Sequence, residues 1–570
     1  MRDRRARNSQ LAAVIALAII ALFSCSPSEP LPPLPRGADL FQAPVYFERF
    51  HDKYSHPDDL PLLRAGKVRI NLFQPVDVSS FDWTRGSSDY TWFMQMQELR
   101  FLLPLIGSER RGDRKLARSW LERWHNAYAG ARVPVHKWGE PRTFAYRALV
   151  FVYYLKTERA RPKPDAEVVA LLTQSLAVHQ QYLERDSFDG KNNLGLIEAL
   201  GLMETTRVHP NPAARTLAFE RVRAMMRKLV SPLGSELENS PAYHFVVLNW
   251  LEEINAYLHD LPGAPADVVR DVESVASRMR AAAYFLHDHS GRVPQVGDTD
   301  SMSVAAASDE PPNAAAHFWD RIAGYAAYKG VGRDRRYLLL RIPLPGARLT
   351  EHIHSDALGL WFSDDGEVIL GDAGRYTYTR GALRDYFVSA AAHNTVLPRF
   401  APQERTPSHV YRPVAWARDE SRGNSARWWA VVEEVNQRSA RQVTIADGSA
   451  SIVVVDSIET RGRTPHDAPA TVLWNLGADV IRLELAGTNE AGTWWWNVVT
   501  RRGRQVRLSV TVHDYARARP RVRALRGEES PMRAWYSPRW GVRRPVWGIE
   551  VVLKARPTAV LETRLTLPLP

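Results

Sequence analysis

The sequence predicts an α+β multidomain protein: an N-terminal (α/α) toroid of paired helices followed by a C-terminal antiparallel β-sandwich. Three observations lead there. At 570 residues, 45% hydrophobic and 10% aromatic, the chain exceeds one ordinary core and has enough apolar side chains to fill two. From residue 39 to residue 332, apolar residues recur at spacings of three and four, the period of a helix with one buried face. From 333 to 570 the period falls to two, and short apolar runs alternate with Gly, Pro and Asp turns. Helices followed by strands, rather than interleaved with them, indicate separate α and β layers and not a βαβ sheet.

The first 24 residues stand outside the fold. Arg2, Arg4, Arg5 and Arg7 precede an apolar run from Leu11 to Phe23 that is short for a membrane span, the layout of a signal peptide. The run ends in Leu22-Phe23-Ser24-Cys25, which resembles a bacterial lipobox. Cys25 is the only cysteine, so no intrachain disulfide forms and lipid attachment accounts for it better than a catalytic thiol does. Residues 25–38, rich in Pro, read as an extended tether. The expected location is the periplasm or the outer-membrane side of the cell envelope, lipid-anchored; a signal anchor kept in the inner membrane is the alternative. The formal charge is +12 and mostly Arg, whose planar fork suits carboxylate or sulfate oxygens. The basic residues are spread along the chain and no nucleic-acid module is present, so no nucleic-acid partner is expected.

Amphipathic runs place helices at Thr91 to Ile106, Leu116 to Tyr128, Arg142 to Leu155, Ala166 to Leu183, Asn193 to Met203, Ala214 to Leu229, Pro241 to Leu258 and Pro265 to Leu286. Short loops make neighbours antiparallel, and the lack of a fixed-period repeat favours a closed toroid over a solenoid. Two helix starts carry polar groups. Asn192 and Asn193 precede one, where an Asn is most often simply an N-cap. In Glu236 to Leu251, Ser240 is a candidate cap and Pro241 the first helical residue, so that Glu238, Tyr243 and His244 cluster around one turn. Arg142 and Arg147 begin another helix and either face the cleft or lie on a solvated face.

Strands follow at RYLLLRIPL, ALGLWF, EVILGD, SIVVVDSIE, ATVLWNLG, VIRLEL, TWWWNVV, VRLSVTVHD, GIEVVLKA and VLETRLTL, with Asp364-Asp365-Gly366 as a hairpin turn. At the switch between halves lies His352 to Asn394. His352 and His354, two apart on an extended segment, share a face, and Asp372 and His393 arrive from neighbouring segments. Such a set is the inventory of zinc sites and of proton-transfer sites, although any one of these histidines taken alone reads as a core or turn residue.

The motifs H-x-H-x-D-x-L, G-D-x-G-x-Y and A-H-N-T-V, with E-x-S-P-x-Y-H and the Asn193 segment upstream, resemble those of the heparinase II/III-like polysaccharide lyases. The resemblance implies a toroid followed by a sandwich. It also implies β-elimination on a uronate-containing polysaccharide, giving a C4–C5 unsaturated end, with an anionic polysaccharide as partner. By the same resemblance Asn193 and Tyr243 are catalytic, and His354, Asp372 and His393 hold a structural Zn2+ beside the site; His352 and Tyr376 are candidates to complete the catalytic set, and Asn192, Glu238, His244 and Arg147 are candidates to meet substrate. Leu194 stands where many members carry His. Elimination needs the carboxylate charge offset, a base for the C5 proton and an acid for the leaving oxygen, roles that Asn193 and the Tyr243–His352 pair would fill. Two other classes stay open: a glycoside hydrolase using Glu238 and Asp356, and a non-catalytic envelope protein that binds or guides an exopolysaccharide.

Overall fold

The computed structural model describes residues 58–70, 75–83, 90–185, 190–304, 316–345, 351–397, 413–434, 436–446, 448–460, 469–513, 520–553 and 558–567. The signal segment, Cys25 and the tether lie outside these. No helix among the described residues is long and apolar enough to cross a membrane.

Where the sequence predicts one helix from Thr91 to Ile106, there are two, Tyr90–Gln97 and Leu103–Ile106. Pro104 cannot donate to the carbonyl four residues back and crowds it, and the chain breaks at Leu99, which takes φ 59°. The later helices match the reading closely: Arg111–His125, Pro141–Arg159, Ala166–Leu183, Leu194–Val208, Pro212–Leu229, Pro241–Asp260 and Ala266–Ala283. Asp165 and Asn211 cap theirs by accepting two backbone N–H groups each. The Leu194–Val208 helix is buried from Gly195 to its end, as an inner helix must be, and it packs against Pro141–Arg159, Ala166–Leu183 and Pro212–Leu229. Gly201 permits the first of these contacts, because a Cβ there would lie 2.7 Å from Ala145 Cα.

The β half holds an eight-stranded antiparallel sheet, a three-stranded sheet (Ala470–Asn475, Trp547–Leu553, Arg521–Arg526) and a five-stranded meander running from His317 to Leu370. An isolated bridge between Leu370 and Leu476 links the last two into one layer facing the first. Asp365 and Gly366 take φ 50° and 74°, the paired left-handed conformation of a tight hairpin turn, as predicted.

Two strands of the meander, His317–Asp320 and Tyr325–Lys329, fall before residue 333, so the domain boundary read from the sequence is too late. The cause is burial on both faces. Leu338, Leu340 and Phe362 enter the sandwich core with Trp428, Val443 and Trp474. Tyr337, Leu339 and Trp361, one step out of phase, join Leu286 and Val296, with Phe245 packed against them on the helical side. A strand covered on both faces shows no alternation to read. A helix at Ala382–Val388 also interrupts the β half.

Asn394 and Thr395 anchor the segment around His393. Asn394 Nδ2 donates to Leu360 O (2.8 Å) and Gly371 O (2.7 Å), and Thr395 Oγ1 donates to Ala357 O (2.6 Å), stapling the His393 segment between strands. Beneath it, fully buried Arg441 forms a fork with Asp456 (2.7 and 2.9 Å) and donates to Leu358 O and Asn394 O (2.6 and 2.5 Å).

Candidate active site

The site forms where the starts of two helices meet the loop Val296–Asp300 and the His352 segment. Asn193 opens the Leu194–Val208 helix, but its side chain does not cap it. Instead its backbone N–H and its Nδ2 donate to the two oxygens of Glu238, each at 2.5 Å, and Asn192 Oδ1 accepts from Leu194 N at 3.1 Å. One N–H of the Asn193 amide is therefore committed to Glu238, leaving the second for a ligand.

Ser240 does not cap its helix either. Its hydroxyl pairs with Thr299 Oγ1 (2.8 Å), which accepts from Ala242 N (3.3 Å), so the helix start is tied to the Val296–Asp300 loop. Tyr243, on this first turn, stacks on His352 with ring centroids 3.6 Å apart and planes at 15°. Its hydroxyl lies 2.9 Å from Tyr378 Oη, which is itself 3.4 Å from His352 Nδ1 and accepts from Arg375 (3.1 Å). Burial, then the neighbouring Tyr378, pushes the Tyr243 phenol well above its usual pKa of 10, so the group is held neutral and ready to donate.

His352 sits between two carboxylates, Nδ1 at 3.1 Å from Asp298 and Nε2 at 3.5 Å from Glu238. Burial opposes its charge, but the hydrogen bonds to Asp298 and Glu238 outweigh it and raise its pKa above 6.5. Asp298 also meets His354 Nε2 (3.0 Å) and Arg384 Nη1 (2.5 Å). Burial disfavours its charge, yet its bonds from His352, His354 and Arg384 hold it well below the usual carboxylate range. Gly297 makes this convergence possible: at φ +57° it lies so close to the facing chains that a Cβ would sit 2.3 Å from Asn239 O and 2.9 Å from His352 O.

The two histidines do converge, though not by strand alternation. Residues 351–354 form a turn and irregular chain, and His352 takes φ 58°, a strained conformation of the kind that collects at functional sites. Sequence reasoning missed Asp298, whose signal, Val296-Gly297-Asp298-Thr299-Asp300, belongs to no periodic element. Tyr376, expected in the catalytic set, and Tyr378, two residues on, are placed differently. Tyr376, with φ 59°, stacks on Phe387 (5.2 Å, 8°), while Tyr378 reaches the cluster.

Two expected substrate contacts are structural. His244 is 1% exposed, accepts from Glu236 N and donates to Met279 O (3.0 Å). Arg147 is fully buried, donating to His179 Nε2 (2.9 Å) and Gln97 O (2.8 Å) beneath Trp124. Burial lowers the pKa values of His244 and of buried His287 to about 4. Both are then neutral in the fold, and an unfolded chain binds their protons first as the pH drops. The stability they contribute is complete above pH 6.5 and is lost as the pH falls toward 4, by about 3 kcal/mol for each histidine. Denaturant midpoints at pH 7 and pH 4.5 will show the fall, and His244→Gln will make it shallower.

The expected metal ligands lie together but do not close a cage. Among the described residues no group of three or more His, Cys, Asp or Glu is arranged to hold a metal ion. His393 Nδ1 donates to Asp372 (2.9 Å), and the His354 and His393 rings stand 5.3 Å apart. His354 Nδ1 and His393 Nε2 are each buried without a hydrogen-bond partner. Two unpartnered imidazole nitrogens, each on a ring whose other nitrogen is held by a carboxylate, fit zinc ligation, with Asp372 orienting His393 as placed rather than free to ligate.

Residues 314–557 match the family described as heparinase II/III-like, C-terminal. Its C-terminal part is a heparinase II/III-like domain. Solved structures extend the likeness in fold to nearly the whole chain. Heparinase III aligns over 94% of this chain and 87% of its own at TM-score 0.69 and 14% identity. The heparan sulfate lyase HepC from Pedobacter heparinus covers 94% and 85% at TM-score 0.61 and 14% identity. A chondroitin AC lyase variant from Streptomyces coelicolor covers 93% and 80% at TM-score 0.53 and 11% identity. At these identities the likeness establishes the toroid-and-sandwich fold. No curated protein matches the chain in sequence. The C-terminal domain and the fold are shared with polysaccharide lyases, and together they support an enzyme of that type.

Proposed function

We propose that the chain cleaves a uronate-containing polysaccharide by β-elimination, leaving a C4–C5 unsaturated end. The observation that carries this reading is the stacked Tyr243–His352 pair, with the Tyr378 hydroxyl within reach of both, beside the Asn193 amide. The free N–H of Asn193 would bind the uronate carboxylate and offset charge as the C5–H bond breaks. One member of the pair takes the C5 proton; as the C5 electrons form the double bond to C4 and the C4–O bond breaks, a phenol delivers a proton to the leaving oxygen. The epimer at C5 decides which face carries the proton, and so which ring takes it. Arg375 favours charge on Tyr243 when it is the base, whereas Tyr378 opposes it.

The hydrolase alternative loses a carboxylate, since Asp356 is 1% exposed and ion-paired with fully buried Arg341 (3.3 Å). Ultraviolet absorbance with a panel of uronate polymers is the test. A rise from the conjugated double bond supports elimination, and saturated new reducing ends without that rise would overturn it.

His354 and His393 would hold a zinc ion whose chemistry is to fix the ring orientations behind His352; elimination requires no attacking water. Zinc at about 100 times its Kd will stabilise the chain by about 2.7 kcal/mol. Thermal melts will show this shift in the native chain and not in His354→Ala. Export and lipid attachment at Cys25 belong to the same proposal, and Cys25→Ser will move the chain out of the membrane fraction.

A further inference from the structure

A groove of 1080 Å³ lies on the other side of the Leu237–Asn239 segment from the catalytic cluster. Leu237 and Asn239 line it, whereas Glu238, between them, turns the opposite way to hold Asn193. Its walls are the Pro212–Leu229 and Ala266–Ala283 helices, and its rim is the Arg321–Ile322 turn with Leu344 and Pro345.

Among the described residues, four arginines line this groove against one carboxylate. Arg223 is neutralised by Asp267 and Asp271 at 2.5 and 2.7 Å. The other three, Arg227, Arg278 and Arg321, are exposed, and among the described residues none is paired with a carboxylate. Arg278 donates to Ser274 Oγ (2.9 Å) on its own helix, and Arg321 lies over Trp319 (5.4 Å). Between these cations the floor is aliphatic, with Met226, Val230 and Leu237, and Ile322 stands 56% exposed at the rim.

We propose that this groove is a second binding site, for an acidic oligosaccharide, separate from the catalytic cluster. Sulfate or carboxylate groups answer the three unpaired guanidiniums, and the C–H faces of sugar rings answer the aliphatic floor. A single small anion would leave most of the volume empty, since pockets of about 300–1,000 Å³ already take ligands of several rings. Single-stranded nucleic acid shares the charge but binds through aromatic platforms, and among the described residues no aromatic side chain lines the groove. The site stands on its own geometry and requires no reaction at Tyr243.

The test is titration calorimetry of the full chain carrying Tyr243→Phe, which keeps the probe intact, with a heparin-derived octasaccharide and an oligogalacturonate of equal length. At least one of the two is expected to bind, and the added triple substitution Arg227→Ala, Arg278→Ala, Arg321→Ala is expected to remove one site per chain, whether the catalytic cleft contributes a further site or none. Ser274→Trp, which fills the groove and keeps every charge, is expected to remove the same site. Unchanged melting temperatures of these exposed variants establish that the fold is intact. Unchanged stoichiometry in the triple variant overturns the proposal, as does binding that survives Ser274→Trp, the behaviour of a diffuse basic patch. Equal competition by a single-stranded oligonucleotide overturns the assignment to saccharide. Failure of the lyase reading would leave these results unaffected.

Discussion

Tyr243→Phe will lower kcat by about 10²–10⁴-fold, the usual contribution of a positioned acid or base, while KM changes little. The substitution keeps the ring that stacks on His352 and removes only the hydroxyl that meets Tyr378, so packing survives and proton transfer does not. Steady-state kinetics on the best polymer of the panel will measure it. A Tyr243→Phe enzyme with native kcat would remove the phenol from the chemistry altogether. Tyr378→Phe is expected to have a smaller effect, because that hydroxyl acts on Tyr243 rather than on the substrate, and to shift the pH profile of kcat rather than abolish turnover.

The largest effect on stability is expected from Arg441→Ala, at about 3–5 kcal/mol, because it leaves Asp456 buried as an unpaired charge. The loss extends beyond the ion pair. Arg441 also holds the carbonyls of Leu358 and Asn394, so the segment that presents His393 loses its anchor. Urea unfolding will show a lower midpoint. The double variant Arg441→Met, Asp456→Leu should recover much of the loss, since an apolar pair of similar volume leaves no charge behind. If Arg441→Ala proved neutral, the buried fork would carry no stability.

Much of the fold was legible because helices and exposed-face strands repeat their burial at fixed periods. The Ala166–Leu183 and Pro212–Leu229 helices carry their caps in the sequence, as Asp165 and Asn211. The His317–Asp320 and Tyr325–Lys329 strands were not legible, because both sides of their sheet are covered and apolar residues therefore do not alternate. At the site, Asn193, Glu238, Tyr243 and His352 come together as their motifs suggest. Asp298 escaped notice because it lies in an aperiodic loop and its partners His352 and Arg384 are 54 and 86 residues away. Tyr376 and Tyr378 differ through one left-handed residue that no alternation rule anticipates. His244 and Arg147 bind neighbouring backbone carbonyls, which a sequence does not display.

The five-stranded meander contributes one set of side chains to the sandwich and the alternate set to the helical half. Neither half can melt without exposing the other's interior, so the described body should unfold in a single calorimetric transition, and proteolysis should not release either half as a stable fragment. Recombination between relatives would have to carry this sheet with both of its neighbours. The residues of the candidate site, drawn from both sides of the seam, are thereby inherited as a set.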